Sequence, residues 1–466
     1  GEDLVSQLED ILGFDGSVTT AAAVREAHGR DESYHADVDG LFAPDVVTFP
    51  KSSEEVAEIV KACTERKIPV QATGTLTSLE GHTAFLRGGV AIDMTQMNQI
   101  ISVDQEDMDC RVQAGVTRKQ LNDYLRDTGL FFPVDPGADA SIGGMASCRA
   151  SGTNAVRYGT MKEVVKGLTA VLSGGKIVRT GGSGKARKSS SGYDLTSLLV
   201  GSEGTLGVIT EIQLKLSGQP EAISSAVCSF ATLEGAVNSV VDSIHAGIPV
   251  ARVELLDEIQ VQAVNAYSKM NIEEVPTLFF EFHGSHASVE EQAETVGCIV
   301  EDHGGGSFKW SSSSEERSKL WEARHNAYYA ALALRPKCKC VITDVAVPIS
   351  KLSESIKHTK SLLLESNLLS PIVGHVGDGN YHVMILIDPD NKEEAMKAKN
   401  LSLEIARSAI SLGGTCSGEH GIGYGKLPLL EQEHGLEALD MMHHIKRALD
   451  PEDIFNPGKM GSLHHR

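Results

Sequence analysis

The chain lacks a long hydrophobic run and an excess of positive charge. Among its 466 residues, 42 Lys and Arg stand against 63 Asp and Glu, which gives a net charge of −21. This charge disfavours nucleic acid or an anionic membrane as a general partner, and a small anionic substrate would need a local positive site. Polar residues interrupt every apolar stretch before the roughly eighteen residues that a membrane span requires, so we expect a soluble chain.

The cysteines do not form a recognisable framework. Eight are present, and they are scattered along the chain. Only Cys338 and Cys340 lie close together, and no second pair follows at the spacing of a zinc ribbon. We therefore expect reduced, mostly buried thiols rather than a disulfide scaffold.

Two common nucleotide-binding motifs are also missing. No strand is followed by GxGxxG and a helix. The stretch GGSGKARKS lacks both the first glycine and the Ser or Thr after lysine that a P-loop requires. These absences exclude the dinucleotide fingerprint and the P-loop as the basis of any cofactor site.

Length and patterning predict more than one domain. A chain of 466 residues with 41% hydrophobic content can bury two or three cores. Residues 46–49 and 68–72 are strand-like, and an amphipathic helix between them follows a cap at Ser52 or Ser53. After Pro220 the pattern changes to strands and helices without regular crossovers, which favours an α+β layer with an antiparallel sheet.

Three loops rich in small residues follow or precede strands in the first half. They span residues 73–83 (TGTLTSLEGHT), 135–161 and 201–207. Amides and hydroxyls in such loops could surround a phosphate. A flexible surface loop is the alternative for the first of them, but the recurrence beside strands favours a cofactor domain.

The stretch GHVGDGNYH, residues 374–382, predicts a metal site. With Asp378 and Gly379 as the turn of a hairpin, His375 and His382 would be directly opposed, with Cβ atoms about 4.5–5.5 Å apart, and could hold one divalent ion. Farther along, SGEHGIG offers Glu419 as a carboxylate ligand beside His420 as a candidate base. The alternative is a pair of unrelated histidines, one of them bonded to a carbonyl.

The motifs EGHT, DPGADASIGGM, RYGTM, GYDL, GSEGTLGVITE, GHVGDGN, SGEHGIG and FNPGK occur in this order. Together they resemble the FAD-binding dehydrogenases of the vanillyl-alcohol-oxidase superfamily, over about residues 30–460. The similarity is greatest to the branch that oxidises D-lactate in mitochondria and passes electrons to cytochrome c, with glycolate and D-2-hydroxyglutarate dehydrogenases as relatives. A mitochondrial location is thus expected, and the sequence begins at Gly1 rather than Met, as it would after removal of a targeting segment.

The resemblance implies an α+β protein with a PCMH-type FAD-binding domain over residues 1–219 and an α+β substrate- and metal-binding domain with an antiparallel sheet over 220–425. Residues 426–466 would return to the FAD domain. By similarity, the residues that hold the FAD pyrophosphate are Gly74, Thr75, Thr77 and Ser78. Those that line the rest of the flavin are Ser141, Gly143, Gly144, Gly204, Thr205, Ile209 and Asn456.

Two features of the first loop distinguish this chain from its relatives. Leu76 stands where the family usually carries another glycine. Members that tether FAD covalently have a histidine at the position of residues 75–78, and this chain has none there. The resemblance therefore implies a noncovalent flavin.

The resemblance also implies the chemistry. His375, His382 and Glu419 would bind Zn²⁺, Mn²⁺ or Fe²⁺, and His420 would accept the hydroxyl proton of the substrate.

Two further residues are expected to contact the substrate. Arg324, in Trp-x-x-Arg, would bind the substrate carboxylate bidentately, although an exposed helix arginine is the alternative from sequence alone. Met384 would line the side-chain pocket and favours a small or apolar substrate such as D-lactate. Alternatives are glycolate or another D-2-hydroxy acid, and, in a different class, a flavin- or metal-binding protein without this activity.

Overall fold

The computed structural model describes residues 2–461, which form two compact units. The first comprises the chain up to Ser151, Thr160–Gly218 and the chain from Glu419 on; the second comprises Gly152–Gly159 and Gln219–Gly418. The sequence predicts limits at 219 and 425, and the units break after Gly218 and Gly418. No helix within residues 2–461 is both long and apolar enough to cross a membrane.

The α-helices are numbered in chain order. They are α1 (Glu2–Leu12), α2 (Ala22–His28), α3 (His35–Val38), α4 (Ser53–Arg66), α5 (Arg118–Leu125), α6 (Ile142–Cys148), α7 (Ala155–Tyr158), α8 (Met161–Val164), α9 (Leu195–Leu199), α10 (Leu233–His245), α11 (Glu258–Ser268), α12 (His286–Asp302), α13 (Ser314–His325), α14 (Ala327–Ala333), α15 (Leu352–Ser366), α16 (Lys392–Ser411), α17 (Leu430–His434) and α18 (Leu436–Leu449).

The strands are numbered in the same way. They are β1 (Val18–Thr19), β2 (Val46–Thr48), β3 (Val70–Thr73), β4 (Val90–Asp93), β5 (Ile100–Asp104), β6 (Asp109–Gln113), β7 (Leu130–Phe131), β8 (Val165–Leu172), β9 (Lys176–Arg179), β10 (Val208–Lys215), β11 (Ser217–Gly218), β12 (Ala222–Ser229), β13 (Arg252–Leu256), β14 (Thr277–Gly284), β15 (Lys309–Ser311), β16 (Lys339–Ile342), β17 (Val345–Ala346), β18 (Ile372–Gly374) and β19 (Asn380–Ile387).

The first unit contains the predicted strand, helix and strand. These are β2, α4 and β3, and the Ser52 side chain caps α4 by accepting a hydrogen bond from the Glu55 amide. The two strands are not neighbours, however, because β4 lies between them and pairs in parallel with both. The sheet order is β1-β2-β4-β3.

The first unit contains a second, antiparallel sheet in the order β5-β6-β10-β8-β9. One hydrophobic core joins it to α4 and the first sheet through residues such as Ile59, Val90 and Ile212. Phe455, near the C-terminus, is fully buried in the same core and forms a bridge with Val70. The last part of the chain therefore packs within this unit.

The second unit is built on one antiparallel sheet in the order β15-β12-β14-β13-β18-β19-β16, with β17 also paired to β19. This arrangement confirms the predicted α+β layer. The central strands are buried on both faces, and every residue of β19 is buried. A charged residue on such a strand must be paired with another group or coordinate a metal ion. Its partners therefore help to identify a functional site.

The predicted register of the GHVGDGNYH hairpin is wrong. His382 is opposite Val373, and His375 lies beyond the end of β18. The reason is that residues 376–378 form a turn of 3₁₀ helix, which Gly379 ends at a φ of 82°. The connection is therefore longer than a two-residue turn, and the ladder starts deeper in both strands.

Candidate active site

The first and second small-residue loops meet in the first unit. Gly74 directly follows β3, and a Cβ added to it would lie 2.3 Å from the Ser141 Oγ. The Ser141 amide donates a hydrogen bond to the Thr75 Oγ1 at 3.3 Å. Ser141 is the N-cap of α6, and a Cβ added to Gly143 would lie 2.6 Å from the Ala114 Cβ and 2.9 Å from the Ala114 carbonyl oxygen. A side chain larger than hydrogen is thus excluded at Gly143, where two backbones approach one another.

The other predicted residues of the first loop have defined surroundings. The Thr75 and Thr77 hydroxyl oxygens lie 3.4 Å apart. The Ser78 hydroxyl donates to the Asp31 carboxylate at 2.7 Å, so its proposed role at a phosphate competes with this bond. Leu76 has a φ of 60°, in the left-handed region that favours glycine. Leu76 thus adopts a backbone conformation that a glycine would adopt without strain.

Glu203 joins three of the predicted motifs within the first unit. Its carboxylate accepts hydrogen bonds from the backbone amides of Ile422 at 2.7 Å and Gly423 at 2.9 Å. Its carbonyl accepts one from the Asn456 side-chain amide at 2.8 Å. The GSEG loop, the SGEHGIG loop and the FNPGK tail therefore converge on one residue, which itself adopts a positive φ of 54°.

Buried charged residues surround the point where these three motifs meet. The His82 Nε2 lies 3.0 Å from the Glu203 carboxylate. Burial alone would lower the pKa of His82, but Cys148 and the carboxylate hold it well above its usual value. Burial would likewise raise the pKa of Glu203, but His82 and the two amides keep it below the ordinary range. Lys459 donates to the His82 and Ala84 carbonyls, and burial lowers its pKa to about 7.

The remaining predicted flavin residues lie in the GSEG loop, in α6 and on β10. Gly204 has a φ of 69°, and a Cβ placed there would meet open space. The Thr205 hydroxyl donates to the Ser202 carbonyl at 2.7 Å. A Cβ on Gly144 would lie 3.1 Å from the Ser141 Oγ, and Ile209 is buried on β10.

In the second unit, His375 and His382 lie side by side despite the changed register. Their ring centroids are 5.5 Å apart and their planes are nearly perpendicular, at 86°. The His382 Nδ1 lies 3.1 Å from the Thr343 carbonyl, and the His375 Nδ1 lies 2.7 Å from the Glu254 carboxylate. Each ring thus has its Nδ1 beside a protein oxygen, a contact that ordinarily orients metal-binding histidines.

Arg324 of α13 is not on the surface. It is 7% exposed, and its Nε and Nη2 lie 2.7 Å and 2.6 Å from one oxygen of Glu254. The exposed-arginine alternative is therefore excluded. The structure places the guanidinium beside a protein carboxylate that the sequence reasoning missed.

Asp344 is a second missed carboxylate. It is fully buried just after β16, where its Oδ1 accepts from the Asn380 side-chain amide and its Oδ2 from the Ser417 hydroxyl. Its carbonyl accepts from the Gly418 amide at 2.8 Å, directly before Glu419 in the chain. The sequence signal that could have identified Asp344 is a charged residue in a largely apolar stretch, VITDVAV.

Four residues of metal-ligating type are candidates for a metal site: Asp344 and His382 in the second unit, and Glu419 and His420 in the first. Within the second unit, the His382 Nδ1 lies 3.6 Å from the Asp344 Oδ1. Imidazole nitrogens and carboxylate oxygens suit Zn²⁺, Mn²⁺ or Fe²⁺. These candidates include His382 and Glu419 of the predicted ligand set, but not His375. They also include Asp344 and His420, the predicted base.

Glu80, from the EGHT motif, lies beside the candidate base. Its Oε1 is 3.7 Å from the His420 Nδ1 and 2.6 Å from the Lys426 ammonium. Burial would raise the pKa of Glu80, but Lys426 and His420 keep it below its usual value, so the carboxyl is anionic.

Met384, the predicted pocket residue, lies two positions after His382 on β19 and is 3% exposed. Alternate residues of a strand share a face of the sheet, so the thioether lies on the same side as the His382 imidazole.

These two units have the architecture of a PCMH-type flavoprotein. Solved structures with the same fold include p-cresol methylhydroxylase with bound substrate, at a TM-score of 0.78 and 18% identity, covering 99% of this chain and 96% of that one. Another is the 4-ethylphenol oxidase from Gulosibacter chungangensis, at a TM-score of 0.82 and 17% identity, covering 100% and 98%. Identities this low establish the fold alone.

Family models and relatives place the chain more narrowly. A model described as the C-terminal domain of FAD linked oxidases matches residues 219–460, and a model of an FAD binding domain matches residues 44–181. The chain belongs to the FAD-linked oxidase family and is an FAD-dependent oxidoreductase.

Curated relatives span nearly the whole chain. A probable mitochondrial D-lactate dehydrogenase from Danio rerio is 50% identical, covering 99% of this chain and 92% of the relative. The mitochondrial D-lactate dehydrogenase [cytochrome] from Arabidopsis thaliana is 46% identical, covering 98% and 80%. The glycolate oxidase subunit GlcD from Bacillus subtilis is 35% identical, covering 92% and 91%.

The close approach of Gly74 to Ser141 generates a prediction about FAD. Gly74→Ala should lower the flavin content of the purified protein, because the new methyl group would lie 2.3 Å from the Ser141 Oγ and would force this hydroxyl away from its present position between the two loops. Gly137→Ala is the matched control, since a Cβ there meets nothing within 4 Å. The ratio of flavin to protein, measured after release in acid, checks both variants. Equal flavin content in the two would show that this approach does not shape the cofactor site.

Proposed function

We propose that the chain oxidises D-lactate to pyruvate, using noncovalent FAD and a divalent metal ion. One observation carries the choice of substrate: relatives named D-lactate dehydrogenase are 50% and 46% identical over 99% and 98% of the chain. The imidazole and carboxylate side chains available as ligands, two of them buried and two half-buried, support a metal-dependent route, because an alcohol needs help to lose its proton.

The protein residues then have separate tasks. When bound, FAD supplies the acceptor for the C2 hydride, and the metal ion supplies a Lewis acid that lowers the pKa of the substrate hydroxyl. His420 accepts the hydroxyl proton, and Glu80, 3.7 Å from its Nδ1, stabilises the resulting imidazolium. Arg324 attracts the substrate carboxylate. With Nε and Nη2 held by Glu254, it would offer its remaining N–H groups.

For the metal we propose His375, His382 and Glu419 as ligands. The Nδ1 contacts of both rings support this assignment. The position of Glu419 also supports it, because the preceding residue, Gly418, donates a backbone hydrogen bond to the Asp344 carbonyl. Asp344 is a further candidate ligand, because it belongs to the group of potential ligands around His382.

Glycolate is the second candidate substrate. A glycolate oxidase subunit at 35% identity favours it, and the two acids differ only by a methyl group on C2. The buried thioether of Met384 supports a small or apolar side chain and therefore lactate over longer, polar 2-hydroxy acids.

We also propose cytochrome c as the electron acceptor and the mitochondrion as the location. Relatives from Arabidopsis thaliana and Saccharomyces cerevisiae carry both the cytochrome and the mitochondrial designation, at 46% and 39% identity. The net charge of −21 is compatible with a positively charged electron carrier as partner.

Anaerobic mixing with D-lactate should bleach the flavin absorbance, because the hydride reduces the cofactor and no oxygen is present to reoxidise it. L-lactate is the control for the stereochemistry, while glycolate and D-2-hydroxyglutarate test the side-chain pocket. Faster bleaching by glycolate than by D-lactate would reverse the choice of substrate. A yellow protein that no 2-hydroxy acid bleaches would refute the proposed activity.

Acid precipitation should release the yellow colour into the supernatant, because no histidine occupies residues 75–78 to tether the flavin. The absorbance of supernatant and redissolved pellet measures the partition. Flavin that stays with the denatured protein would contradict noncovalent binding and point to a tether elsewhere.

Glu419 and His420 are neighbours with different proposed roles. Glu419→Gln should lose metal, and excess divalent ion should partly restore its activity, because a weakened ligand can be compensated by mass action. His420→Ala should keep the metal but reduce its flavin about 10²–10⁴-fold more slowly, since only the proton acceptor is missing.

Metal analysis and stopped-flow reduction by D-lactate distinguish the two variants. If His420→Ala is purified without metal while Glu419→Gln retains it, the two roles are exchanged. Reduction of His420→Ala at the parent rate would show that another group accepts the proton.

A further inference from the structure

Glu254 connects two functional residues through its two oxygens. It lies on β13 and is completely buried. Its Oε1 is 2.7 Å from the His375 Nδ1, and its Oε2 is 2.7 Å and 2.6 Å from the Nε and Nη2 of Arg324. The imidazole of a proposed metal ligand and the guanidinium of a proposed substrate anchor therefore share one carboxylate.

Each contact has a defined physical effect. A carboxylate that accepts a hydrogen bond from Nδ1 fixes the imidazole as the tautomer whose lone pair is on Nε2, orients the ring and increases its strength as a ligand. A carboxylate on Nε and one terminal nitrogen sets the plane of the guanidinium. A glutamate without charged partners would not be tolerated at full burial, so the arrangement is mutually dependent.

We propose that Glu254 is a positioning residue for both halves of the reaction, orienting His375 for the metal and Arg324 for the substrate carboxylate. This inference rests on the proposed function. It predicts that loss of the carboxylate weakens metal binding and raises the KM for D-lactate together, although Glu254 itself contacts neither.

The neighbouring strand provides a matched control. Glu281 of β14 is 5% exposed, its Oε1 lies 2.7 Å from the His283 Nε2, and the Arg252 Nε is 3.6 Å away. The same three residue types are thus clustered in the same sheet, but none of these three is among the proposed metal or substrate residues. A general disturbance of a buried His-Glu-Arg cluster would affect both sites equally.

The test compares Glu254→Gln with Glu281→Gln and His375→Ala. The FAD-loaded proteins, freed of metal by dialysis against a chelator, are titrated with Zn²⁺ in competition with a chromophoric chelator. Glu254→Gln should bind Zn²⁺ about 10–100-fold more weakly than the parent, the usual cost of losing a hydrogen bond behind a ligand. His375→Ala should lose at least as much, and Glu281→Gln should bind like the parent. In steady-state assays with Zn²⁺ at saturation, only Glu254→Gln of the two glutamate variants should show a raised KM.

The outcomes separate the inference from the function on which it rests. Parent-like Zn²⁺ affinity in Glu254→Gln, or equal weakening in Glu281→Gln, overturns the positioning role while leaving the D-lactate activity of the parent intact. Parent-like affinity in His375→Ala also overturns it, because the ring is then not a ligand. If the parent binds no Zn²⁺ and no acid bleaches its flavin, both proposals fail.

Glu254→Asp covers the case in which Glu254→Gln does not fold. It keeps the charge, but the side chain is shorter by one methylene group and cannot hold both partners at their present distances. Weaker Zn²⁺ binding in this variant supports the proposal, and parent-like binding overturns it.

Discussion

The first unit depends on the buried carboxylate of Glu203. Two backbone amides and a buried histidine compensate its charge, at 2.7 Å, 2.9 Å and 3.0 Å. Without these partners, the transfer of the carboxylate from water to the protein interior would cost about several kcal/mol in desolvation free energy. Because the amides belong to Ile422 and Gly423, this compensation also determines where the chain that carries His420 can run. The same interaction that makes the burial tolerable thus positions the proposed base.

The second unit repeats this principle. Glu254 and Asp344 are both fully buried, and each is held by partners that carry or adjoin proposed functional groups. Rigid strands position these carboxylates, and the carboxylates position rings and loops. The proposed metal site depends on such contacts, because a histidine with both ring nitrogens unconstrained would not present a defined lone pair.

Much of the secondary structure and several residues of the candidate site could be predicted from local sequence patterns. The strand, helix and strand at residues 46–73 followed from periodicity and the Ser52 cap, and the structure confirms them. Clusters of glycine, serine and threonine predict the three small-residue loops, because these residues suit close backbone approach, but only the tertiary structure brings Gly74 to Ser141. The proximity of His375 and His382 was also foreseen, but for a reason that proved wrong, since a 3₁₀ turn rather than a two-residue hairpin brings the rings together.

By itself, the sequence determined the residue types available for chemistry and the family, because ordered motifs and local periodicity are written along the chain. Only the tertiary structure decided which charges meet. Glu254 and Arg324 are 70 positions apart, and Glu254 and His375 are 121 apart. No local pattern encodes such pairs, because they arise when strands and helices from distant segments pack and each buried charge must find a partner. The insertion of β4 between β2 and β3 has the same origin, since pairing between strands depends on the whole sheet.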